Sequence, residues 1–123
     1  MTRARLLHHV EYLAVLVVLI AAAVWHRGEL TAWFWVFLVA PDVVGFAPGL
    51  LVGAPPRKGY LPPRAVPWYN LAHTFTLPLA AWAVVLLLTQ GDPWPILGWL
   101  VHIAADRTLG FGLRGDDGGQ AVL

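Results

Sequence analysis

The stretch LLHHVEYLAVLVVLIAAAVW, residues 6–25, is an apolar run in which the charged or imidazole side chains, His8, His9 and Glu11, all lie near its start. An α-helix rises about 1.5 Å per residue, so a run of this length spans about 30 Å, the thickness of the hydrocarbon core of a bilayer. The stretch therefore predicts a first transmembrane helix.

A signal peptide is the alternative interpretation of this run. Arg3 and Arg5 precede it, and it ends in the small residues 21–23, an order that resembles the charged, apolar and cleavage regions of a secretory signal. Glu11 interrupts the apolar run, however, and further apolar stretches follow. These two features favour a helix that is retained.

The composition also favours a membrane protein. Of 123 residues, 59% are hydrophobic and only 12% are charged, whereas soluble domains have about 25% charged residues. A soluble monomer of this size has too little interior to bury so much apolar surface.

The charge and the cysteine count exclude two classes of protein. Nucleic-acid-binding proteins carry clusters of basic residues, whereas the net charge of this chain is only +1, so no nucleic-acid partner is expected. With no cysteine, the chain has neither disulfides nor cysteine-ligated zinc.

Three more apolar stretches predict three more transmembrane helices, over residues 30–47, 67–89 and 94–113. Together with the first they predict an all-α fold, a four-helix transmembrane bundle in up-down-up-down order. Residues 1–114 form this single membrane domain. The Gly- and Asp-rich residues 115–123 are predicted to be a flexible tail.

Threonine and proline residues mark where the helices begin and bend. Thr31 is a predicted N-cap for the second helix. Pro78 lies inside the third helix and should bend it near Thr74, because proline lacks the N–H that would bond the carbonyl one turn earlier. The segment GAPPRKGYLPPR, residues 53–64, contains too much proline and glycine for a helix and is predicted to be a loop.

The basic residues indicate the orientation in the membrane. One side of the predicted bundle has six Lys or Arg near its helix ends, and the other has only Arg27; the six are Arg3, Arg5, Arg57, Lys58, Arg64 and Arg114. The positive-inside rule then places both termini in the cytoplasm, and we expect a bacterial cytoplasmic (inner) membrane. The lipid bilayer is thus the main partner, and Arg57, Lys58 and Arg64 are candidates for binding anionic lipid headgroups.

Ionisable residues of different predicted helices fall at a similar depth. Counting 1.5 Å per residue from the predicted helix ends places one such residue of each helix in the cytoplasmic half of the bilayer, namely Glu11, Asp42, His73 and Asp106. His102 lies one turn from Asp106 on the same helix face. We therefore expect one polar centre inside the bundle.

The charges of this centre need compensation. Glu11, Asp42 and Asp106 against Arg107 leave three minus one, or two, surplus negative charges when the histidines are neutral. Burying the four unpaired would cost on the order of 10 kcal/mol. Pairing, protonation or a bound cation must lower that cost. One divalent metal or two protons would cancel the surplus.

Four motifs resemble, in order and spacing, the small membrane proteins grouped as domain of unknown function 4260. They are Glu11 in the first apolar run, PDVVGF at residues 41–46, YNLAH at 69–73 and HIAADRTLGFGLR at 102–114. The resemblance covers most of residues 6–114 and implies a small four-helix membrane protein without an assigned reaction. Members usually continue into a Thr-His-Leu element, for which GDDGGQAVL stands here. A residue that could complete a site in relatives is therefore absent.

Two interpretations of the polar residues stay open. In the first, His102 and Asp106 form an intrahelical hydrogen bond and Arg107 pairs with Glu11 or Asp42. In the second, the site holds zinc, manganese or iron. Its candidate metal ligands are His73, His102 and Asp106. Its catalytic candidates are Glu11 or Asp42 as base and Arg107 as phosphate clamp. Its supporting residues are Tyr69, Asn70 and Thr74.

Three functions remain compatible with the sequence. The first is a membrane bundle whose polar cluster stabilises its own packing or a homo-oligomer. The second is a membrane-embedded, metal-dependent hydrolase of a lipid-linked ester or phosphate, since a metal generates hydroxide at neutral pH. The third is a proton or ion relay, which would need an oligomer because four helices are few for a transporter. The sequence does not decide whether the protein is an enzyme.

Overall fold

Five α-helices and no β-strand form the secondary structure of the described residues, 2–51 and 53–120, in the computed structural model. They are α1 (Arg3–Trp25), α2 (Trp33–Leu51), α3 (Val66–Ala72), α4 (Thr76–Val84) and α5 (Leu97–Leu109). Short 3₁₀ turns precede α3 and α5, and a π-helical turn, Val85–Thr89, extends α4. The predicted all-α fold is confirmed.

The first helix begins earlier than predicted. The hydroxyl of Thr2 accepts a hydrogen bond from the backbone N–H of Arg5 at 3.1 Å, so Thr2 is the N-cap. The helix ends at Trp25, as predicted. Only 6% of its most apolar window is buried inside the protein. Most side chains of this apolar helix are therefore at least partly exposed.

The third predicted helix is bent where Pro78 predicts a bend. It divides into α3, ending at Ala72, and α4, beginning at Thr76, and the two parts are inclined by 48°. Pro78 has no N–H to donate to the carbonyl of Thr74. The helical hydrogen bond between these two residues is therefore missing, which favours the break between Ala72 and Thr76. His73 lies at the break, as the residue that ends α3.

The last helix packs between α1 and α2. Gly98 allows the close approach, because a Cβ atom there would overlap the carbonyl oxygen of Phe34 on α2. The helix ends at Leu109 and not at residue 113, because Gly110 adopts a left-handed conformation with φ 92°. The N–H of Phe111 then donates to the Asp106 carbonyl at 2.8 Å, which closes the helix end.

The segment after α5 packs against the rest of the chain. The side-chain amide of Asn70 donates to the Arg114 carbonyl at 2.9 Å and accepts from the Arg114 N–H at 2.7 Å. The N–H of Leu61 donates to the Gly118 carbonyl at 2.9 Å. Residues 115–120 of the predicted flexible tail thus form a turn held by backbone contacts, whereas residues 121–123 lie outside the described residues.

Four spanning helices were predicted, and fewer meet the length and composition of a membrane span. Among the described residues, α1 meets them, and the bent pair of α3 and α4 would be a second span if counted as one. The apolar part of α2, Trp33–Ala47, is shorter, and α5 has 13 residues. The structure therefore supports one or two candidate spans.

Candidate metal centre

Four ionisable side chains from three parts of the fold meet at one point. Asp42 comes from α2, His73 from the break after α3, and His102 and Asp106 from α5. One possible ligand atom of each lies within 4.8 Å of the corresponding atoms of the other three. We call these four residues the His/Asp cluster.

The orientation of His73 is set by its own helix. Its Nδ1 lies 2.7 Å from the backbone carbonyl oxygen of Tyr69, and its ring stacks on the Tyr69 ring with centroids 3.9 Å apart. A carbonyl oxygen only accepts hydrogen bonds, so Nδ1 carries the proton. Nε2 of a neutral His73 is then a lone-pair donor directed to the cluster, 3.2 Å from Asp42 Oδ1 and 3.7 Å from Asp106 Oδ2.

His102 faces the same two carboxylates. Its Nε2 lies 3.3 Å from Asp42 Oδ1 and 3.3 Å from Asp106 Oδ2. This atom is buried and, among the described residues, neither contact has the alignment of a hydrogen bond. The predicted intrahelical contact between His102 and Asp106 is therefore present, and His102 Nε2 shares it with Asp42 at the same distance.

The charge of the cluster requires a cation or protons. Two carboxylates give two negative charges when both imidazoles are neutral. Nε2 of neutral His73 and the Asp42 carboxylate are both acceptors, yet they lie 3.2 Å apart. Such a contact needs a shared proton or a metal ion to be favourable. This surplus equals the predicted one, although it arises from a different set of residues.

The cluster is closed on the histidine side and more open on the carboxylate side. The side chain of His73 is 2% exposed, whereas that of Asp42 is 48% exposed. Asp106 is intermediate, with 24% exposed. A molecule from outside could therefore approach the cluster along Asp42.

Arg107 does not form the predicted ion pair with Glu11 or Asp42 among the described residues. Its guanidinium instead donates to the Tyr12 hydroxyl at 2.8 Å and to the His73 carbonyl at 3.3 Å. That carbonyl belongs to the residue that ends α3, where a cation is favoured by the helix dipole and by the carbonyls left without intrahelical partners. Arg107 therefore connects α1 and α5 to the helix break that carries His73.

Glu11 lies outside the His/Asp cluster, on the exposed side of α1. Successive helix residues point about 100° apart, and Tyr12 takes the inward direction in contact with Arg107. The sequence placed Glu11 at the right depth for the cluster. Depth alone did not determine which of these two neighbours faces α5.

The three predicted supporting residues have different roles. Tyr69 supports His73 through its carbonyl and its ring. Asn70 holds the backbone of Arg114, and the hydroxyl of Thr74 donates to the Leu71 carbonyl at 3.1 Å within its own segment. Tyr12 was missed, because a tyrosine in an apolar run gives no signal of a specific contact.

The residue types of the cluster fit a divalent transition metal. Imidazole nitrogen and carboxylate oxygen are ligands of zinc, manganese and iron in proteins. Metal-binding histidines commonly donate the other ring N–H to a backbone carbonyl, which fixes the tautomer. His73 has this arrangement with Tyr69. The cluster could thus hold one metal ion through Asp42, His73, His102 and Asp106.

Comparison with known proteins gives a family and no further relative. No curated protein and no solved structure is significantly similar to this chain. The profile of one family, described as Domain of unknown function (DUF4260), matches residues 5–121, which include every residue of the His/Asp cluster. The match extends into the segment after α5, beyond the range over which the motifs resemble the family. The chain belongs to the DUF4260 family.

Proposed function

We propose that this chain is a small integral membrane protein that binds one divalent transition metal ion between α2, α3 and α5. The observation that carries the proposal is the convergence of four ligand atoms within 4.8 Å, with His73 Nε2 directed to the cluster by the Tyr69 carbonyl. Asp42, which the sequence suggested as a base, belongs to this ligand set.

The exposed surface supports the membrane part of the proposal. Large apolar side chains face outward on every long helix, for example Val18 on α1 at 66% exposed, Val39 on α2 at 56% and Leu79 on α4 at 54%. In water this surface would favour aggregation, whereas lipid is as apolar as the side chains themselves. We propose four membrane crossings, with the bent pair of α3 and α4 as one crossing, and both termini in the cytoplasm of a bacterial inner membrane.

Contacts of α1 support its retention in the mature protein. His9 Nδ1 lies 2.9 Å from the Thr108 carbonyl, and the Tyr12 hydroxyl accepts from Arg107. Removal of α1 as a signal peptide would leave the inward-facing polar groups of α5 without these partners. The exposed basic residues Arg57, Lys58 and Arg64 lie between α2 and α3, where they would meet anionic headgroups on the cytoplasmic side.

One metal ion would compensate both the charge and the lone pairs of the cluster. One divalent ion cancels both carboxylate charges and accepts the lone pairs of both Nε2 atoms. Two protons, one on each imidazole, would also cancel the charge, through ion pairs of the Nε2 atoms with the carboxylates at 3.2–3.7 Å. The position of His102 Nε2, 3.3 Å from each carboxylate and aligned with neither, suits a metal ion shared by all three groups.

The reaction class that fits such a centre is hydrolysis of a lipid-linked ester or phosphate. A metal ion held by histidine and carboxylate ligands supplies Lewis-acid chemistry and activates water at neutral pH. The exposed edge at Asp42 would admit the substrate, and the closed side at His73 would keep its imidazole oriented. Arg107 is engaged with Tyr12 and His73, so in this proposal it positions His73 and does not clamp a phosphate.

Thermal unfolding with and without metal tests the proposal. After chelator treatment and dialysis, addition of Zn²⁺ or Mn²⁺ should stabilise the wild type, by about 2.7 kcal/mol at a metal concentration of 100 Kd. Asp42→Asn should lose this stabilisation, whereas Asp116→Asn, a change of an exposed acid after α5, should keep it. Equal stabilisation of both variants, or none of the wild type, would contradict the proposal.

A further inference from the structure

An apolar cavity of about 380 Å³ lies between α2 and the bent α3–α4 pair. Its walls are aliphatic, aromatic and proline side chains of four helices. Those used below are Phe37, Pro41, Val44, Trp68, Ala72 and Trp99. None of the described residues that line this cavity is charged.

The cavity shares its wall with the His/Asp cluster. Pro41 directly precedes Asp42, and Ala72 directly precedes His73. The indole N–H of Trp99, one turn before His102, donates to the Ala72 carbonyl at 2.8 Å. Three helices thus place an apolar cavity wall and a polar cluster residue side by side.

The position of the cavity favours a hydrocarbon occupant. Val44 and Trp68 line it and are also 51% and 58% exposed, so the cavity lies at the apolar outer surface of the helices. In a membrane that surface meets lipid chains. A water-sized group occupies about 30 Å³ in a liquid, so the cavity has room for about a dozen methylene-sized groups. That volume suits one hydrocarbon chain.

We propose that this cavity binds the hydrocarbon chain of a lipid whose polar head, an ester, carboxylate or phosphate, lies at the Asp42 edge of the cluster. The inference rests on the proposed metal centre and gives its substrate class, a lipid with one chain held beside the metal. The chain would be bound by apolar contact alone, and the head would be positioned by the shared wall at Pro41 and Ala72.

A second apolar cavity provides an internal control. It has a volume of about 360 Å³ and is lined by residues of α4, the π-helical turn and α5 that include Leu79, Trp82 and Leu86. Its lining contains no residue of the His/Asp cluster or its immediate sequence neighbours. A hydrocarbon chain that only partitions onto apolar surface should label both cavities.

The test uses a twelve-carbon fatty acid with a diazirine at its far end, applied to the full chain in detergent micelles and mapped by peptide mass spectrometry. We expect labelling of the peptides around Val44 and Trp68 in preference to the peptide around Leu86. Val44→Trp should reduce this labelling at least several-fold. Val43→Trp is the matched control, because Val43 is exposed to a similar fraction, 56%, and does not line the cavity.

The metal dependence separates this inference from the proposed function. With Zn²⁺ present, half-maximal labelling should occur at a lower fatty-acid concentration than with chelator, because the carboxylate head then reaches the metal. Equal labelling of both cavities, or no effect of Val44→Trp, overturns the chain site even if metal binds. If the fatty-acid concentration at half-maximal labelling is the same with Zn²⁺ and with chelator, the placement of the lipid head at the cluster is overturned. Specific labelling by a protein that holds no metal leaves a chain site but contradicts the metal centre.

Discussion

His73 Nδ1 lies 2.7 Å from the carbonyl oxygen of Tyr69, which also accepts the backbone N–H of His73 at 3.1 Å. Both lone pairs of one carbonyl are thus used by one residue, and the imidazole is fixed at the end of α3. The opposite ring nitrogen, Nε2, is left to face Asp42, His102 and Asp106. The break ends α3 at the position where the imidazole of His73 can reach the other residues of the cluster.

Loss of the contact between Arg107 and Tyr12 should destabilise the protein. Arg107→Met removes hydrogen bonds to Tyr12 and His73, and Tyr12→Phe removes only the first. Hydrogen bonds to charged groups contribute about 1.5–3 kcal/mol each. A double-mutant cycle by unfolding in detergent should give a coupling energy of about 1 kcal/mol or more. Additive effects of the two substitutions would show that the contact does not form.

Gly98 should tolerate no larger side chain at the crossing of α2 and α5. In Gly98→Ala the new Cβ overlaps the Phe34 carbonyl, and backbone cannot move aside as a flexible side chain would. Overpacking costs about 1–3 kcal/mol, which exceeds the gain of up to about 1 kcal/mol from the better helix propensity of alanine.

Gly28→Ala is the control for this substitution, since nothing lies within 4 Å of its new Cβ. The unfolding midpoint should fall for Gly98→Ala and stay within error for Gly28→Ala. A midpoint for Gly98→Ala at or above the wild-type value would mean that α2 and α5 do not approach here.

The turn after α5 should depend on Asn70. In Asn70→Ala both hydrogen bonds to the Arg114 backbone are lost, so trypsin should cleave after Arg114 several-fold faster than in the wild type. Thr74→Ala is the control, because Thr74 bonds only within its own segment. Cleavage in the exposed 57–58 loop should be unchanged in Thr74→Ala. If Arg114 is cut equally fast in all three proteins, the segment is not held as described.

Reporter fusions test the proposed topology. Fusions before residue 1 and after residue 123 should both report the cytoplasm, because the basic residues cluster on that side. Insertions at Gly28, between α1 and α2, and at Gly91, before α5, should report the periplasm. Termini on opposite sides would mean an odd number of crossings, and one of the four proposed spans would have to be withdrawn.

Much of the fold follows from local sequence. The apolar run of α1, the bend caused by Pro78 and the close packing at Gly98 are all consequences of residue type at a given position. The end of α5 was predicted four residues too late, because the apolar pattern continues through Phe111 and Leu113 although Gly110 adopts a left-handed conformation. An apolar sequence pattern indicates which residues are buried or in contact with lipid. It does not indicate where the backbone leaves the helix.

The sequence predicted which residues form the His/Asp cluster, but it did not predict the positions of Glu11 and Arg107. Asp42, His73 and Asp106 were predicted at a similar depth, with His102 one turn from Asp106, and the structure brings these four residues together. Glu11 and Arg107 were also expected there, but the rotation of α1 and the free carbonyl at His73 direct them elsewhere. The rotation of α1 and the position of the His73 carbonyl depend on how the helices pack against one another. The spacing of residues within one helix does not determine that packing.

Metal content is the most direct test of the proposed centre. Protein purified without chelator should carry close to one divalent transition metal ion per chain by elemental analysis, and His102→Ala and Asp106→Ala should each abolish it, while Asp116→Ala should retain it. Asp106→Asn should also lose the metal, since a neutral amide is a poorer ligand than a carboxylate. Wild-type protein without metal, in which Asp106→Asn folds as stably as the parent, would contradict the metal centre and indicate that protons balance the cluster.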